Sequence, residues 1–410
     1  MSSEKYDVVV WGATGFTGKW VAKHLFDTYG ADNNELRWAI AGRNQVKLNE
    51  VADFIGDVDG NIDQLTADSN DEASLIELTS QTKTIISTVG PYAYYGSILV
   101  KVCAEHGTHY VDLTGEVPWM REMIDAHQAA AQDSGAKIVH SCGFDSVPSD
   151  MGVYYTQKIA TGKFGQPLQK INYNLMKMKG GISGGTIASM MNVIELAVKD
   201  KKIRRVLANP YALNPDKAFK GPDKGDQTSA KFSADLGRWS APFMMAGINT
   251  RIVRRSNALM SYAYGEGFKY QEVMVTAEGA KGYATAKAIA VGTKAMMLTS
   301  LTGVGRKFLG LFLPAQGKGP EVDPENPGFY HIQFNGRTAD GQVLVTKLLG
   351  DADPGYGSTS KMLAEAAVCL ALDELSTQGG FWTSASALGD PYLERLQRNG
   401  GLSFEVVKSA

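Results

Sequence analysis

The sequence predicts an α/β protein in which a doubly wound parallel sheet is followed by a second α/β unit built on a mixed or antiparallel sheet. Three observations predict it. The 410 residues are 44% hydrophobic and 20% charged, which is ordinary globular usage and chain enough for two domains. From Tyr6 to Ser141, short apolar β-branched runs alternate with stretches of helical periodicity, the pattern of repeated right-handed crossovers. After Ser149 that rhythm stops, and glycine-rich, alternating stretches replace it.

The elements follow in order. Residues 6–11 (YDVVVW) are apolar on both faces, as a strand covered on both sides must be. GATGFTG comes next, and residues 19–29 then set Trp20, Val21, Leu25 and Phe26 at helical spacing, with Gly30 where a C-terminal cap belongs. The alternation continues as strand 36–41, helix 45–55, strand 62–67, helix 71–81, strand 84–89, helix 98–106, strand 110–113, helix 119–133 and strand 137–141. In the second part, strands are expected at 171–178 and 272–276, a loop entering a helix at 180–190, and a surface excursion at 209–230, where three prolines and several charges collect. Residues 329–349 read as a hairpin around Ala339-Asp340-Gly341, and a long apolar helix fills 358–375. The expected division is therefore 1–148, 149–351 and 352–410, the last being a helical return that packs on the first domain.

Charge and cysteine usage exclude several classes. Lys plus Arg number 41 against 43 Asp plus Glu, so a net charge of −2 offers no field for nucleic acid. Cys103, Cys142 and Cys369 are odd in number and far apart, which fits neither a disulfide framework nor a thiolate metal cluster, and points to a reduced, cytoplasmic chain. The six histidines show no metal-ligand spacing, so no metal site is expected. The polar start, MSSEKYD, and the short apolar run after it do not make a signal peptide.

Gly12, Gly15 and Gly18 form G-x-x-G-x-x-G between a predicted strand and a predicted helix, the context of a Rossmann-type dinucleotide site. The first glycine allows the tight turn, the second lets main chain approach a diphosphate, and the third allows close helix–strand packing. Thr14 and Thr17 add hydroxyl donors and Phe16 lies between them. The second strand ends Gly42-Arg43-Asn44, a guanidinium where a site for NAD carries a carboxylate, so a 2′-phosphate is expected and the coenzyme is NADP. Val89, Gly90 and Pro91 follow the fourth strand at the carboxyl edge and are expected beside the nicotinamide.

Tyr92 and Asp145 are the candidate catalytic residues, proton donors to the reduced product, with Glu116 at the same edge. Tyr154 and Lys158, with Ser141 upstream, make a competing Y-x-x-x-K constellation similar to that of short-chain dehydrogenases, although Pro148 interrupts its path and far more chain follows than a single sheet needs.

Taken together, GATGFTG, AGR, STVGPY, DLTGE, CGFDSVPSDMG, GGTIASM, DPGYGSTSKML and GGFWTSASALGDPYLERL resemble, in this order, the saccharopine dehydrogenase-like oxidoreductases, particularly their bacterial branch of trans-acting enoyl reductases. The likeness runs through almost the whole chain. It implies a Rossmann domain, a second α/β domain of mixed sheet, and NADP as coenzyme. The family includes true saccharopine dehydrogenases, reductases of polyketide-derived lipids and members of unsettled reaction. The resemblance therefore transfers the coenzyme turn and Arg43, and no catalytic residue. A saccharopine-type substrate needs several cations for its carboxylates, for which Arg204, Arg205, Arg238, Arg251, Arg254 and Arg255 are available.

Residues 288–313 (AIAVGTKAMMLTSLTGVGRKFLGLFL) carry three charges and no uncharged run long enough to span a bilayer. They read first as a buried core or homodimer-interface helix, and otherwise as a wall for an acyl chain or a peripheral contact with a membrane. The expected function is NADP-dependent reduction of an unsaturated or carbonyl-bearing small-molecule or acyl substrate, such as an enoyl thioester. A non-enzymatic NADPH-binding protein at a membrane surface and a saccharopine-like amino-acid dehydrogenase are the alternatives.

Overall fold

A computed structural model describes residues 4–31, 35–181, 184–312 and 326–409. The chain runs β1 (Tyr6–Trp11), α1 (Phe16–Tyr29), β2 (Trp38–Gly42), α2 (Gln45–Ile55), β3 (Asp63–Thr66), α3 (Glu72–Thr79), β4 (Thr82–Ser87), α4 (Tyr92–Tyr95), α5 (Ser97–His106), β5 (His109–Asp112), α6 (Val117–Ser134), β6 (Lys137–Val139) and α7 (Val147–Phe164). It continues through β7 (Lys170–Lys179), α8 (Gly184–Lys199), α9 (Lys201–Ala208), β8 (Lys231–Ser233), β9 (Arg238–Pro242), α10 (Ala246–Leu259), β10 (Lys269–Val275), α11 (Gly279–Ser300) and α12 (Gly303–Leu309). The last elements are β11 (Phe329–Arg337), β12 (Val343–Gly350), α13 (Gly357–Leu372), β13 (Gly380–Trp382), α14 (Ser384–Arg398) and β14 (Leu402–Ser409).

Two sheets result. The first, in the order β13-β6-β5-β4-β1-β2-β3, is parallel throughout. Every residue of β1 is buried, which is why its valines need no polar alternation. The second, β14-β12-β11-β7-β10-β9-β8, is mixed: β7 and β10 pair in parallel and the other neighbours antiparallel.

The first sheet has one strand more than the six expected. Gly380–Trp382 pairs in parallel with Lys137–Val139, so the C-terminal stretch, expected as a helical return, supplies a strand to the first sheet and, through β14, another to the second. Its helix α13 covers β1, β4 and β5 and is almost wholly buried. There, Glu365 is fully enclosed and accepts from the Tyr29 hydroxyl at 2.9 Å, 3.0 Å from His24 Nε2 and 3.6 Å from the Arg395 guanidinium, so α1, α13 and α14 are joined by one buried polar cluster.

The 209–230 stretch is also more than a surface excursion, because Tyr211, Leu213, Asn214 and Gln227 are buried. Buried arginines of α10 hold it: Arg254 donates to Asp223 and the Pro210 carbonyl, and Arg255 to the Leu213 carbonyl.

Candidate active site

In the sheet's strand order, β1 to β3 step toward one edge and β4 to β6 toward the other, so the order reverses between β1 and β4. Loops leaving the two strands diverge there and open a crevice at the carboxyl edge. A cavity of about 770 Å³ occupies it. Its wall includes Gly12, Thr14, Gly15, Phe16 and Thr17 after β1, Gly42 and Arg43 after β2, Val89 to Tyr92 after β4, and Asp145. Of the site residues expected from the sequence, Gly18 is the exception: it lies under the turn, where a Cβ would stand 2.2 Å from the Gly12 carbonyl oxygen.

The turn fits a dinucleotide diphosphate. Gly12 has φ +85°, and a Cβ there would meet Val89 Cγ2 at 2.6 Å. The Thr88 hydroxyl donates to the carbonyls of Trp11 and Gly12 at 3.2 and 3.0 Å, tying the turn to the end of β4. Helix α1 opens at Gly15 with no side-chain cap and no acidic residue in its first turn, leaving its N-terminal donors and positive dipole end to an anion. Arg43 is exposed and forms no hydrogen bond or ion pair among the described residues, while Asn44 caps α2 by accepting from Lys47 N at 3.1 Å. The guanidinium is thus left over from the helix cap and stands at the cavity wall. These residues suit NADP: diphosphate on the turn, 2′-phosphate on Arg43.

The two expected proton donors part company. Tyr92 is buried and its hydroxyl donates to the Ser87 carbonyl at 3.0 Å and receives the Leu113 N–H at 3.4 Å. Burial first, and the charge of Asp112 next, push the phenol well above its ordinary range. The Tyr92 hydroxyl thus ties the loop to the end of β4. Asp145 is also buried, and that desolvation, aided by the charge of Asp112, pushes its carboxyl up to about 7. A carboxyl at the cavity wall that still holds its proton near neutrality is suited to acid catalysis.

Glu116 plays a role the sequence does not reveal. Nearly inaccessible, it accepts from Tyr92 N at 2.8 Å, Ala93 N at 3.1 Å and the Ser189 hydroxyl at 2.9 Å. The Tyr94 hydroxyl donates to Asn192 Oδ1 at 2.7 Å. Helix α8 is fastened by these bonds across the loop after β4, and its Gly185, Thr186, Ser189 and Met190 form part of the cavity wall. GGTIASM marks that helix start in the sequence, without saying what it covers.

The Y-x-x-x-K constellation does not assemble. The Tyr154 hydroxyl and Lys158 Nζ both bond Asp390 of α14, and the buried Ser141 hydroxyl donates to the Thr114 carbonyl. Nor do the arginines form a carboxylate clamp. Arg254 and Arg255 are spent on the 209–230 stretch and on the carbonyls of Tyr270 and Phe381. Arg251 reaches the cavity, but Asp226 lies 3.5 Å away and the Gly247 and Leu207 carbonyls take one donor each, while its Nε is buried without a hydrogen-bond partner among the described residues.

Away from the turn the wall becomes apolar: Met190, Met191 and Ile194 from α8, Met245 and Ile248 beside α10, and Met296 and Met297 from α11. The expectation of a buried core helix at 288–313 is thereby corrected. Val291, Leu298, Leu301, Val304 and Phe308 are exposed, Thr293, Met296, Met297 and Ser300 line the cavity, and Leu313 falls outside the described residues.

Comparison with known proteins agrees with this geometry. Residues 8–139 match the model of the saccharopine dehydrogenase NADP binding domain, so this chain binds NADP(H). A Mycobacterium tuberculosis relative provisionally named trans-acting enoyl reductase is 38% identical over 99% of this chain and 98% of its own length. The trans-acting enoyl reductase of Mycobacterium ulcerans is 34% identical over 97% of each chain. The solved saccharopine dehydrogenase (L-Glu forming) of Saccharomyces cerevisiae shares the fold, with a TM-score of 0.54 over 98% of this chain and 100% of that one at 13% identity. The chain belongs to the saccharopine dehydrogenase-like, NADP-binding oxidoreductases, in the branch whose curated members carry the name trans-acting enoyl reductase.

Proposed function

We propose that this oxidoreductase uses NADPH to reduce the carbon–carbon double bond of an apolar, acyl-type substrate such as an enoyl thioester. One observation carries the reading: a single cavity runs from the coenzyme turn to a methionine- and isoleucine-lined end, and the arginine at that end, Arg251, is already matched by Asp226. A dicarboxylate would find no spare cation there, whereas an acyl chain needs none. The names of the relatives point to the same substrate class.

When bound, NADPH supplies the hydride. The chain's own part is to seat the diphosphate on Gly12 to Thr17, grip the 2′-phosphate with Arg43, and back the reacting end with Val89 to Pro91. Asp145 holds the proton that completes the reduction, and α8, fixed through Ser189 and Asn192, keeps bulk water from the site.

The test is loss of NADPH absorbance with 2-enoyl thioesters of increasing chain length, set against lysine plus a 2-oxo acid. We expect turnover on the thioesters, with kcat/KM rising by about fourfold for each methylene that enters the apolar end, from ~0.8 kcal/mol per buried CH₂. Turnover with lysine and the oxo acid, and none with any thioester, overturns the reading.

A further inference from the structure

We propose that the face formed by α11 and α12 docks on an anionic lipid bilayer, lying in the headgroup plane without crossing it. Helix α11 is attached to the body through its small residues Gly282, Ala286 and Ala290, which are buried where it packs on β9. Beyond them one side of the helix lines the cavity and the other is exposed. Val291, Leu298, Val304, Phe308, Leu311 and Phe312 stand 56 to 81% exposed. Val304 and Phe308 are one turn apart on α12, Leu311 and Phe312 lie in the turn that follows it, and the rings of Phe308 and Phe312 are 5.2 Å apart. A water-facing surface rarely holds so many large apolar side chains together unless something covers them.

Charge selects the occupant. Residues 279–312 contain Lys281, Lys287, Lys294, Arg306 and Lys307 and no Asp or Glu. Arg306 is partly neutralised by Glu195 at 3.5 Å, but Lys294 and Lys307 are exposed and form no ion pair among the described residues. A second copy meeting this face through a two-fold axis would bring the same segment, which has no Asp or Glu to pair with the lysines. An acidic protein would satisfy the lysines and leave the phenylalanines unexplained. An anionic bilayer satisfies both, with phosphates for the cations and acyl boundary for the apolar row. No described helix is long and apolar enough to cross a membrane, so the element lies on the surface. Met297 is both exposed and part of the cavity wall, so docking here sets a mouth of the cavity against the lipid. This consequence for substrate entry rests on the acyl reading above; the docking does not.

The experiment is flotation of the full-length protein with vesicles of phosphatidylcholine alone or mixed with phosphatidylglycerol. Three chains are compared: the wild type, F308E/F312E and K294E/K307E, none of whose altered residues lines the cavity. NADPH titration reports that each variant is folded. Co-flotation with the anionic vesicles is expected, weakened by salt and lost in F308E/F312E. In K294E/K307E the affinity should drop by roughly fivefold for each cation removed, the equivalent of ~1 kcal/mol per basic residue at the surface. Wild-type protein that stays in the aqueous fraction, or binding that neither variant weakens, overturns the proposal. So does a concentration-dependent dimer of the wild type that F308E/F312E abolishes, which would assign the face to a second copy. Vesicle binding with no turnover on acyl substrates would sink the acyl reading and leave the docking intact.

Discussion

Replacing Arg43 with alanine should separate the two nicotinamide coenzymes. Its guanidinium stands at the cavity wall after β2, exposed and without a partner among the described residues, so its removal disturbs no internal bond. Charge-assisted hydrogen bonds to an anion contribute about 1.5–3 kcal/mol, and exposure to screening solvent places Arg43 in the lower half of that range. About 1.5–2 kcal/mol corresponds to a Kd for NADPH some ten- to thirtyfold weaker. NADH has no 2′-phosphate and should bind the variant as it binds the wild type. Calorimetric titration with both coenzymes at two salt concentrations checks this, and the wild-type preference for NADPH should shrink at high salt. If both coenzymes weaken by the same factor, Arg43 is not the 2′-phosphate ligand and the reasoning from the end of β2 fails.

Three further outcomes follow from the structure. Gly18→Ala pushes a Cβ to 2.2 Å from the Gly12 carbonyl oxygen and 2.8 Å from Ala13 Cα, main-chain atoms that cannot swing aside, so NADPH affinity should collapse and thermal stability fall by about 1–3 kcal/mol. The Asp145 carboxyl is raised from 3.8 to about 7, so the folded state holds this proton more tightly than the unfolded chain and stability declines as pH rises between those values. Asp145→Asn should therefore raise the melting temperature on the alkaline side of 7 and change it little near 4, while cutting turnover at unchanged NADPH affinity. Arg395→Met removes the guanidinium that donates to Asp373 at 2.6 and 2.7 Å and stands 3.6 Å from the enclosed Glu365 carboxylate, and should lower the unfolding free energy in urea by about 3–5 kcal/mol, with only part of the loss recovered in Glu365→Gln/Arg395→Met because Asp373 stays without its arginine.

What the sequence discloses depends on how local the cause is. The β1–turn–α1 unit is legible because its glycines answer constraints set within a few residues, namely a positive φ at Gly12 and a carbonyl beneath Gly18. β13 is not, since three residues carry no periodicity and its partner β6 lies in the first part of the chain. The 209–230 stretch reads as surface because its prolines and charges are visible, whereas the buried guanidiniums of Arg254 and Arg255 that pull it inward are indistinguishable in sequence from solvated ones. Tyr92 and Asp145 both sit at the predicted edge. That the Tyr92 hydroxyl is turned onto the Ser87 carbonyl while Asp145 is desolvated beside Asp112 is set by three-dimensional packing, which the sequence does not display.

The same distinction explains why the coenzyme end carries a motif and the substrate end does not. A diphosphate is held by bare main chain, which only a few residue types permit, so the solution is written in glycines. An apolar wall requires only bulk of suitable shape, and methionines, isoleucines or valines from three separate helices meet that demand in many combinations. The ends are nevertheless mechanically one site. Glu116 binds the loop after β4 through Tyr92 N and Ala93 N, and α8 through Ser189, on a single buried carboxylate. Opening α8 alone would break the Ser189 bond to Glu116 Oε1 and leave that oxygen with Tyr92 N alone, and a hydrogen bond to a charged group contributes about 1.5–3 kcal/mol. Loop and helix are therefore tied to one carboxylate, and under the acyl reading proposed above a shift of α8 would be felt at the loop after β4.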